Sequence, residues 1–491
     1  MFGLSALVAS TAIVTACRGG SDCDSGICDG PTVGTDGGSD ALKPDSNPPG
    51  CDATKDQKDQ AACLNDDFAV FVALTGRPDG SGTMLAPVNT VARAFELVGG
   101  QKQRIYVCEG TYGERVTLKG AVSIYGGLSC NANQWRAPGG RAVFKNMQQP
   151  GYALDVFRVP GVYELADLEF ASGSGTPTAP NSIAARVVGS RGLVLNRVWL
   201  TAADAAEGAP GGSGKTGDRS PADGKGTSGT AGTGGGPNGC TCTVGGPTAG
   251  GAGGGALNGG GGPGTGDALP AGATDGQGGT GASTNCVAGL GHEGATAANQ
   301  TPAASQTKLG AIEGEQWLPG EGIGGASGKS GQGGGGGGAN NGGGGAGGCG
   351  GCGGSGGKGG NGGGASIALL AIDSPIRLVG CTLKTSAGGK GGTGGKGGSG
   401  GEPGGSGSGG TAAPNNGCSG GPGGRGGDGG HGSGGPGGIA VGVLFQGTAP
   451  KPEATEISQT GSAGPGGDPA AAGGNAGPAG KKAPLADITT L

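Results

Sequence analysis

Two stretches far apart in the chain read as copies of one another. SIAARVVGSRGLVLNRVWLTAADAAEGAPGG, starting at Ser182, aligns with SIALLAIDSPIRLVGCTLKTSAGGKGG, starting at Ser366, with a one-residue slip in the middle. A partial third copy, GIAVGVLFQG from Gly438 followed by TEISQTGSAGPGG, begins and ends the same way. The unit is two short apolar runs and then a glycine-rich excursion. Short strands that cannot each bury a face alone, and stack on their neighbours instead, are the signature of a β-solenoid. Each glycine tract then leaves the same corner of a successive coil. This periodicity matters because 132 glycines and 30 prolines in 491 residues would otherwise argue for low complexity.

Composition excludes several classes. Only 33% of residues are hydrophobic, and alanine fills much of that count, too little apolar bulk for a mixed α/β enzyme of this length. The 31 basic and 36 acidic residues give a net charge of −5, without the clustered basic surface that nucleic acid requires.

The chain divides by composition into an apolar start (1–17), a polar, cysteine-containing tether (18–63), a strand-rich segment (64–202), a glycine-rich insertion (203–365), a short apolar island (366–385), a second glycine-rich insertion (386–438), a last island (439–460) and a Gly/Ala/Pro-rich tail (461–491). Within 64–202, PVNTVARAFELV (87–98) places Val91, Phe95 and Val98 at helical spacing, with Asn89 or Thr90 as cap and Gly99-Gly100 as stop. Strand-type runs follow at 105–108, 116–118, 122–125, 142–144, 154–157, 165–170, 183–188 and 193–200, each bounded by Gly, Pro, Asn or Ser.

Gly76, Gly82-Thr83, Pro87, Thr90 and Ala94, followed by IYVCEGTY (105–112) and VSIYGG (122–127), resemble the N-terminal cap and first coils of right-handed parallel β-helix proteins of the pectin-lyase-like fold. That resemblance implies an all-β chain, with 87–98 as the helix that caps the open end of the solenoid. The glycine tracts resemble PGRS-type low-complexity regions of surface proteins in composition alone.

In GGKGGTGGKGGSGG (388–401) a side chain recurs at every third residue, which fits an extended left-handed helix with three residues per turn. Such polyglycine-II helices can lie side by side and hydrogen-bond laterally, with Lys390, Thr393, Lys396 and Ser399 on the outer edge. Disorder is the competing expectation, because glycine loses the most backbone entropy on ordering.

Met1 to Cys17 is an apolar run ending in Val14-Thr15-Ala16-Cys17, which resembles the lipobox of bacterial lipoproteins, although no Lys or Arg precedes it. The resemblance implies a signal peptide, lipid attachment at Cys17 and, with Arg18 next, the outer membrane as destination and partner. Export makes disulfides the default reading of the 14 cysteines. Cys23 and Cys28 lie in SDCDSGICDG, which resembles segments that follow the lipobox in secreted myxobacterial proteins; Cys51 with Cys63 and Cys108 with Cys130 are the next candidate pairs. The rival reading is zinc held by Cys240, Cys242, Cys349 and Cys352, against which export argues.

Catalytic motifs are weak. APGGSGKT (209–216) has relaxed phosphate-loop spacing, but no helix can follow it, so a nucleotide partner is not expected. GGPGTGDAL (261–269) approaches a calcium-binding nonapeptide without recurring. The only histidines, His292 and His431, sit among glycines, so no Ser-His-Asp or Cys-His pair is indicated. No cofactor is expected. If the chain acts on acidic polysaccharide, as the fold resemblance allows, Asp167 and Glu169 would point outward while Ala166, Leu168 and Phe170 point inward, with Arg186 and Arg197 as basic partners from later coils. The expected role is a non-enzymatic, lipid-anchored structural or adhesive surface protein. The alternative is a carbohydrate-active β-helix that binds or cleaves extracellular polysaccharide.

Overall fold

The computed structural model describes residues 48–52, 55–100, 102–131, 134–146, 151–220, 223–255, 257–268, 272, 274–281 and 286–491. The protein is mostly β. Its first strand, β1 (Ala69–Val72), is followed by the single α-helix of the described residues, α1 (Val91–Leu97), whose Thr90 side chain accepts from the Arg93 amide. The helix is shorter than 87–98, because Pro87 and Val88 run extended beside β1, where Val88 bridges to Val72.

There follow β2 (Arg104–Cys108), β3 (Gly110–Tyr112), β4 (Val116–Leu118), β5 (Ser123–Leu128), β6 (Ala142–Asn146), β7 (Leu154–Phe157), β8 (Tyr163–Ala166), β9 (Leu168–Ser172), β10 (Ser182–Val188), β11 (Leu193–Asn196) and β12 (Trp199–Thr201). Among its described residues the first glycine-rich stretch holds only short antiparallel pieces: β13 (Arg219–Ser220), β14 (Gly239–Cys242), β15 (Thr248–Ala249) and the hairpin β16 (Gly310–Glu313) and β17 (Gln316–Pro319). Then come β18 (Ser366–Ile372), β19 (Arg377–Val379) and β20 (Thr382–Thr385), and, beyond the second tract, β21 (Ala440–Gln446), β22 (Lys451–Glu453), β23 (Glu456–Gln459) and β24 (Lys482–Asp487). The last of these lies in the segment expected to be a simple tail.

From β2 onward, consecutive strands outside the glycine tracts enter three parallel sheets in rotation. The first sheet is ordered β1-β2-β5-β8-β11-β19-β22, the second β24-β21-β18-β10-β7-β4 and the third β23-β20-β12-β9-β6-β3. Ser182 pairs with Ser366 and Ile183 with Ile367, the alignment of the first two sequence copies. The third copy is offset from that expectation: Ser366 pairs with Ala440, not Gly438. The first two copies share a further contact at the tract exits. Ser182 Oγ accepts from the Ala203 amide at 2.9 Å and Ser366 Oγ from the Ser386 amide at 3.0 Å, so each serine ties its strand to the residue where a glycine tract departs. Ala440 has no hydroxyl for such a tie.

One apolar cluster fills the space between the sheets, including Ile124, Leu165 and Leu195 from the first, Leu154, Val187 and Leu369 from the second and Phe144, Phe170 and Leu383 from the third. Tyr112, Phe144 and Phe170 stack with centroids 5.2 and 5.4 Å apart. The second sheet is apolar on its outer face as well, where Ile183, Ile367, Leu370 and Leu444 meet Trp317 of the β16–β17 hairpin. This double burial explains the unbroken apolar run SIALLAI.

Strand runs expected to be continuous are broken at corners by single left-handed residues. Asp167 (φ 55°) separates β8 from β9, Arg197 (φ 52°) separates β11 from β12, and Gly380 (φ 60°) and Ala454 (φ 47°) repeat the corner. Alternation therefore resets at Asp167: Leu165, Leu168 and Phe170 face the main cluster, whereas Ala166 packs with Tyr106, Tyr125 and Trp135 on the other side of the first sheet.

The glycine tracts are bonded to one another with a three-residue period. Along 344–361, Ala346, Ser355, Lys358 and Asn361 donate amides to the carbonyls of Thr227, Lys215, Gly212 and Ala209. Gly345, Gly348, Gly351, Gly354, Gly357 and Gly360 donate to Cys418, Gly421, Gly424, Gly427, Gly430 and Ser433. Gly344, Gly347 and Gly353 point a third way, to Gly254, Gly251 and Val244. Approach is so close that a Cβ on Gly354 would lie 2.0 Å from the Gly398 oxygen. On the outer tract, Thr393, Lys396 and Ser399 are exposed while most of the intervening glycines are buried.

Candidate functional site

Asp167 and Arg197 meet. The Arg197 guanidinium donates from Nε to Asp167 Oδ1 at 2.7 Å and from Nη2 to Asp167 Oδ2 at 2.6 Å, and reaches Asp56 Oδ2 and Oδ1 at 2.7 and 3.1 Å. Hydrogen bonding to Asp167 outweighs partial burial and pushes the Arg197 pKa up. A guanidinium committed to two carboxylates has no lone pair with which to take a proton, so this cluster reads as a strut across the corner.

Glu169 lies elsewhere, in β9 of the third sheet, opposite Trp199 in β12 and Val143 in β6. Trp199 is flanked by Arg141, 4.3 Å from the ring centroid, and Lys384 Nζ at 4.7 Å. Arg186 is on the second sheet, bound through Nε and Nη2 to Oδ1 and Oδ2 of buried Asp155 at 2.9 and 3.1 Å. The four residues thus belong to three different surroundings rather than to one cleft.

Asp155, which sequence reading had not singled out, also accepts from Arg115 Nη2, and both arginines lie over the Tyr152 ring, at 5.7 and 4.6 Å. Its signal was faint: an acidic residue inside the apolar strand LDVF (154–157) has to be paired once buried. Beside this group is a cavity of about 370 Å³ between β10 and the β16–β17 hairpin, lined by Arg115, Tyr152, Ile183, Arg186, Trp317 and Leu318 among others. It is comparable in size to the smaller sites that hold small molecules, which run from about 300 to 1,000 Å³.

Five disulfides are present among the described residues. Cys51 is joined to Cys63 and Cys108 to Cys130; the glycine-rich region adds Cys240–Cys349, Cys242–Cys352 and Cys286–Cys418. The two cysteine clusters weighed as zinc ligands are therefore bonded to each other, and among the described residues no group of three or more His, Cys, Asp or Glu is placed to hold a metal. Five disulfides indicate an oxidising environment. Cys381 is free and buried, and burial pushes its thiol up to about 11. Cys17, Cys23 and Cys28 lie outside the described residues.

The remaining motifs are absorbed by the glycine network. Lys215, Gly212 and Ala209 of the phosphate-loop-like stretch accept from Ser355, Lys358 and Asn361, with no helix after them. Asp267 accepts from the Gly246 amide, and His431 Nδ1 from the Gly397 amide at 2.9 Å. No described helix is long and apolar enough to cross a membrane. No family model, curated protein or solved structure matches this chain.

Proposed function

We propose that this is an exported, non-enzymatic structural or adhesive protein of the cell surface, a right-handed parallel β-helix whose corner loops run out into a bundle of polyglycine-II helices. The observation that carries the reading is the threefold amide pattern of 344–361, which sends successive hydrogen bonds to three neighbouring tracts. Three residues per turn with backbone groups pointing outward is the geometry of that helix type. Rotation of the strands through three parallel sheets supports the solenoid. Disulfides across the tracts suit a body that must stay rigid outside the cell, and side chains exposed at every third position offer a repetitive contact surface. The lipobox-like Val14–Cys17 supplies an anchor to the outer membrane.

The test uses beads coated with the oxidised protein, presented to cells and to extracellular matrix while soluble acidic and neutral polysaccharides are assayed for cleavage with calcium present. Attachment without cleavage is expected. Chain cleavage above a heat-inactivated control overturns the reading in favour of a carbohydrate-active enzyme.

A further inference from the structure

We propose that the cavity between β10 and the β16–β17 hairpin is a binding site for a small organic carboxylate with a compact apolar body. The inference does not rest on the surface role proposed above.

Three observations converge. First, Trp317 is 2% exposed and lines the cavity, yet its indole Nε1–H has no acceptor among the described residues. An indole nitrogen can only donate, so what is missing is an acceptor. Second, the ion pairs beside the cavity are unbalanced. Arg115 and Arg186 share the single carboxylate of Asp155, while the Glu315 carboxylate is paired with Arg158 and acts on Arg186 through its field and through a backbone oxygen. Three guanidinium groups thus share two carboxylates, and among the described residues no Asp or Glu lines the cavity. Third, the remaining wall is apolar: Ile183, Ala179, Pro180 and Leu318 join the two aromatic rings. One anionic acceptor on an apolar frame would meet the orphan donor, the unbalanced charge and the wall together.

The wall is also held in place. Asn181 donates from Nδ2 to the Trp317 carbonyl at 3.0 Å and accepts at Oδ1 from the Ala365 amide at 2.9 Å, which pins the hairpin to the start of β10. A site fixed in this way loses little freedom when a ligand enters.

The probe is 4-fluorobenzoate, titrated into the full oxidised chain and followed by fluorine NMR, with 4-fluorobenzyl alcohol as its uncharged counterpart. Saturable binding of the carboxylate is expected, about tenfold tighter than that of the alcohol. Trp317→Phe keeps an aromatic ring, though a smaller one, and removes the donor; Arg115→Gln removes one cation and leaves Arg186 on Asp155. Each should weaken binding by about tenfold. Should Arg115→Gln fail to fold, Leu318→Asp places a negative charge at a residue that is 44% exposed on the cavity wall, and should weaken carboxylate binding by about tenfold or more. No saturable binding at millimolar probe, equal binding of acid and alcohol, or binding indifferent to Trp317→Phe would overturn the proposal.

Discussion

Arg197 grips Asp167 across one rung of the stack through paired bonds of 2.7 and 2.6 Å, and both residues hold left-handed backbone, φ 52° and 55°. The ion pair and the corner are one device. Asp56, Asp167 and Arg197 are 24–28% exposed, so water offsets part of what is lost when the bridge is cut. Arg197→Ala should lower stability by about 1–3 kcal/mol. Arg197→Gly should lose about 1 kcal/mol less, because glycine adopts the left-handed corner without steric cost. Urea midpoints of the two variants decide it, and an alanine variant as stable as the glycine one would show that the corner carries no strain.

Glycine in the network is required for a distance, not for flexibility. Gly354→Ala would place a methyl 2.0 Å from the backbone oxygen of Gly398, whereas a Cβ on Gly405 meets nothing within 4 Å. Gly354→Ala should cost about 3 kcal/mol or more, in the manner of an overpacked core. Gly405→Ala should be neutral or stabilise by about 0.4–1 kcal/mol through the unfolded chain. Thermal unfolding of the two variants gives the comparison.

Disulfides close very long loops in the glycine-rich region, with separations of 109, 110 and 132 residues. By the loop-entropy model a closure of that length is worth about 4.7 kcal/mol. Few large side chains compensate there, so reduction should release the tracts before the sheets. Hydrogen exchange after native-state reduction should show amides of 344–361 losing protection while β10 and β18 keep theirs. Simultaneous loss in both would mean that tracts and sheets unfold as one unit.

All five tyrosines, Tyr106, Tyr112, Tyr125, Tyr152 and Tyr163, are shifted upward, chiefly by burial, Tyr125 to about 12. A phenol whose folded value lies above its unfolded value of 10.0 leaves stability intact below that pH, and the contribution is lost as pH rises through the folded value. Ultraviolet titration should therefore show less tyrosinate at pH 10 than five free phenols would give, then a steep rise together with unfolding. A tyrosine that ionises with an ordinary value while the sheets persist would contradict its burial.

Much of the fold was legible because repetition leaves a trace. The Ser182 and Ser366 copies align in sequence as they pair in space, and period three in 388–401 marks which side chains stay outside. Corners were not legible: nothing local distinguishes Asp167 or Arg197 from ordinary strand residues, since their left-handed backbone is held by the neighbouring rung, where the Asp167 amide bonds to the Asn196 carbonyl and the Arg197 amide to the Val379 carbonyl. Alternation cannot say which sheet a residue joins, so it does not separate Arg186, which binds Asp155, from Arg197, which binds Asp167. The cavity was hidden for a related reason: Trp317 arrives from a hairpin inside a glycine tract, more than a hundred residues from Tyr152 and Arg186.

Bonding that repeats every third amide makes length a quantised variable. Three residues added at the far end of a tract leave every earlier side chain where it was. One or two rotate all that follow by a third or two-thirds of a turn, driving Lys, Thr or Ser into spaces that admit only hydrogen. Such a body can lengthen or shorten by whole triplets without redesign, nine bases of gene at a time, while the three sheets that carry it stay unchanged.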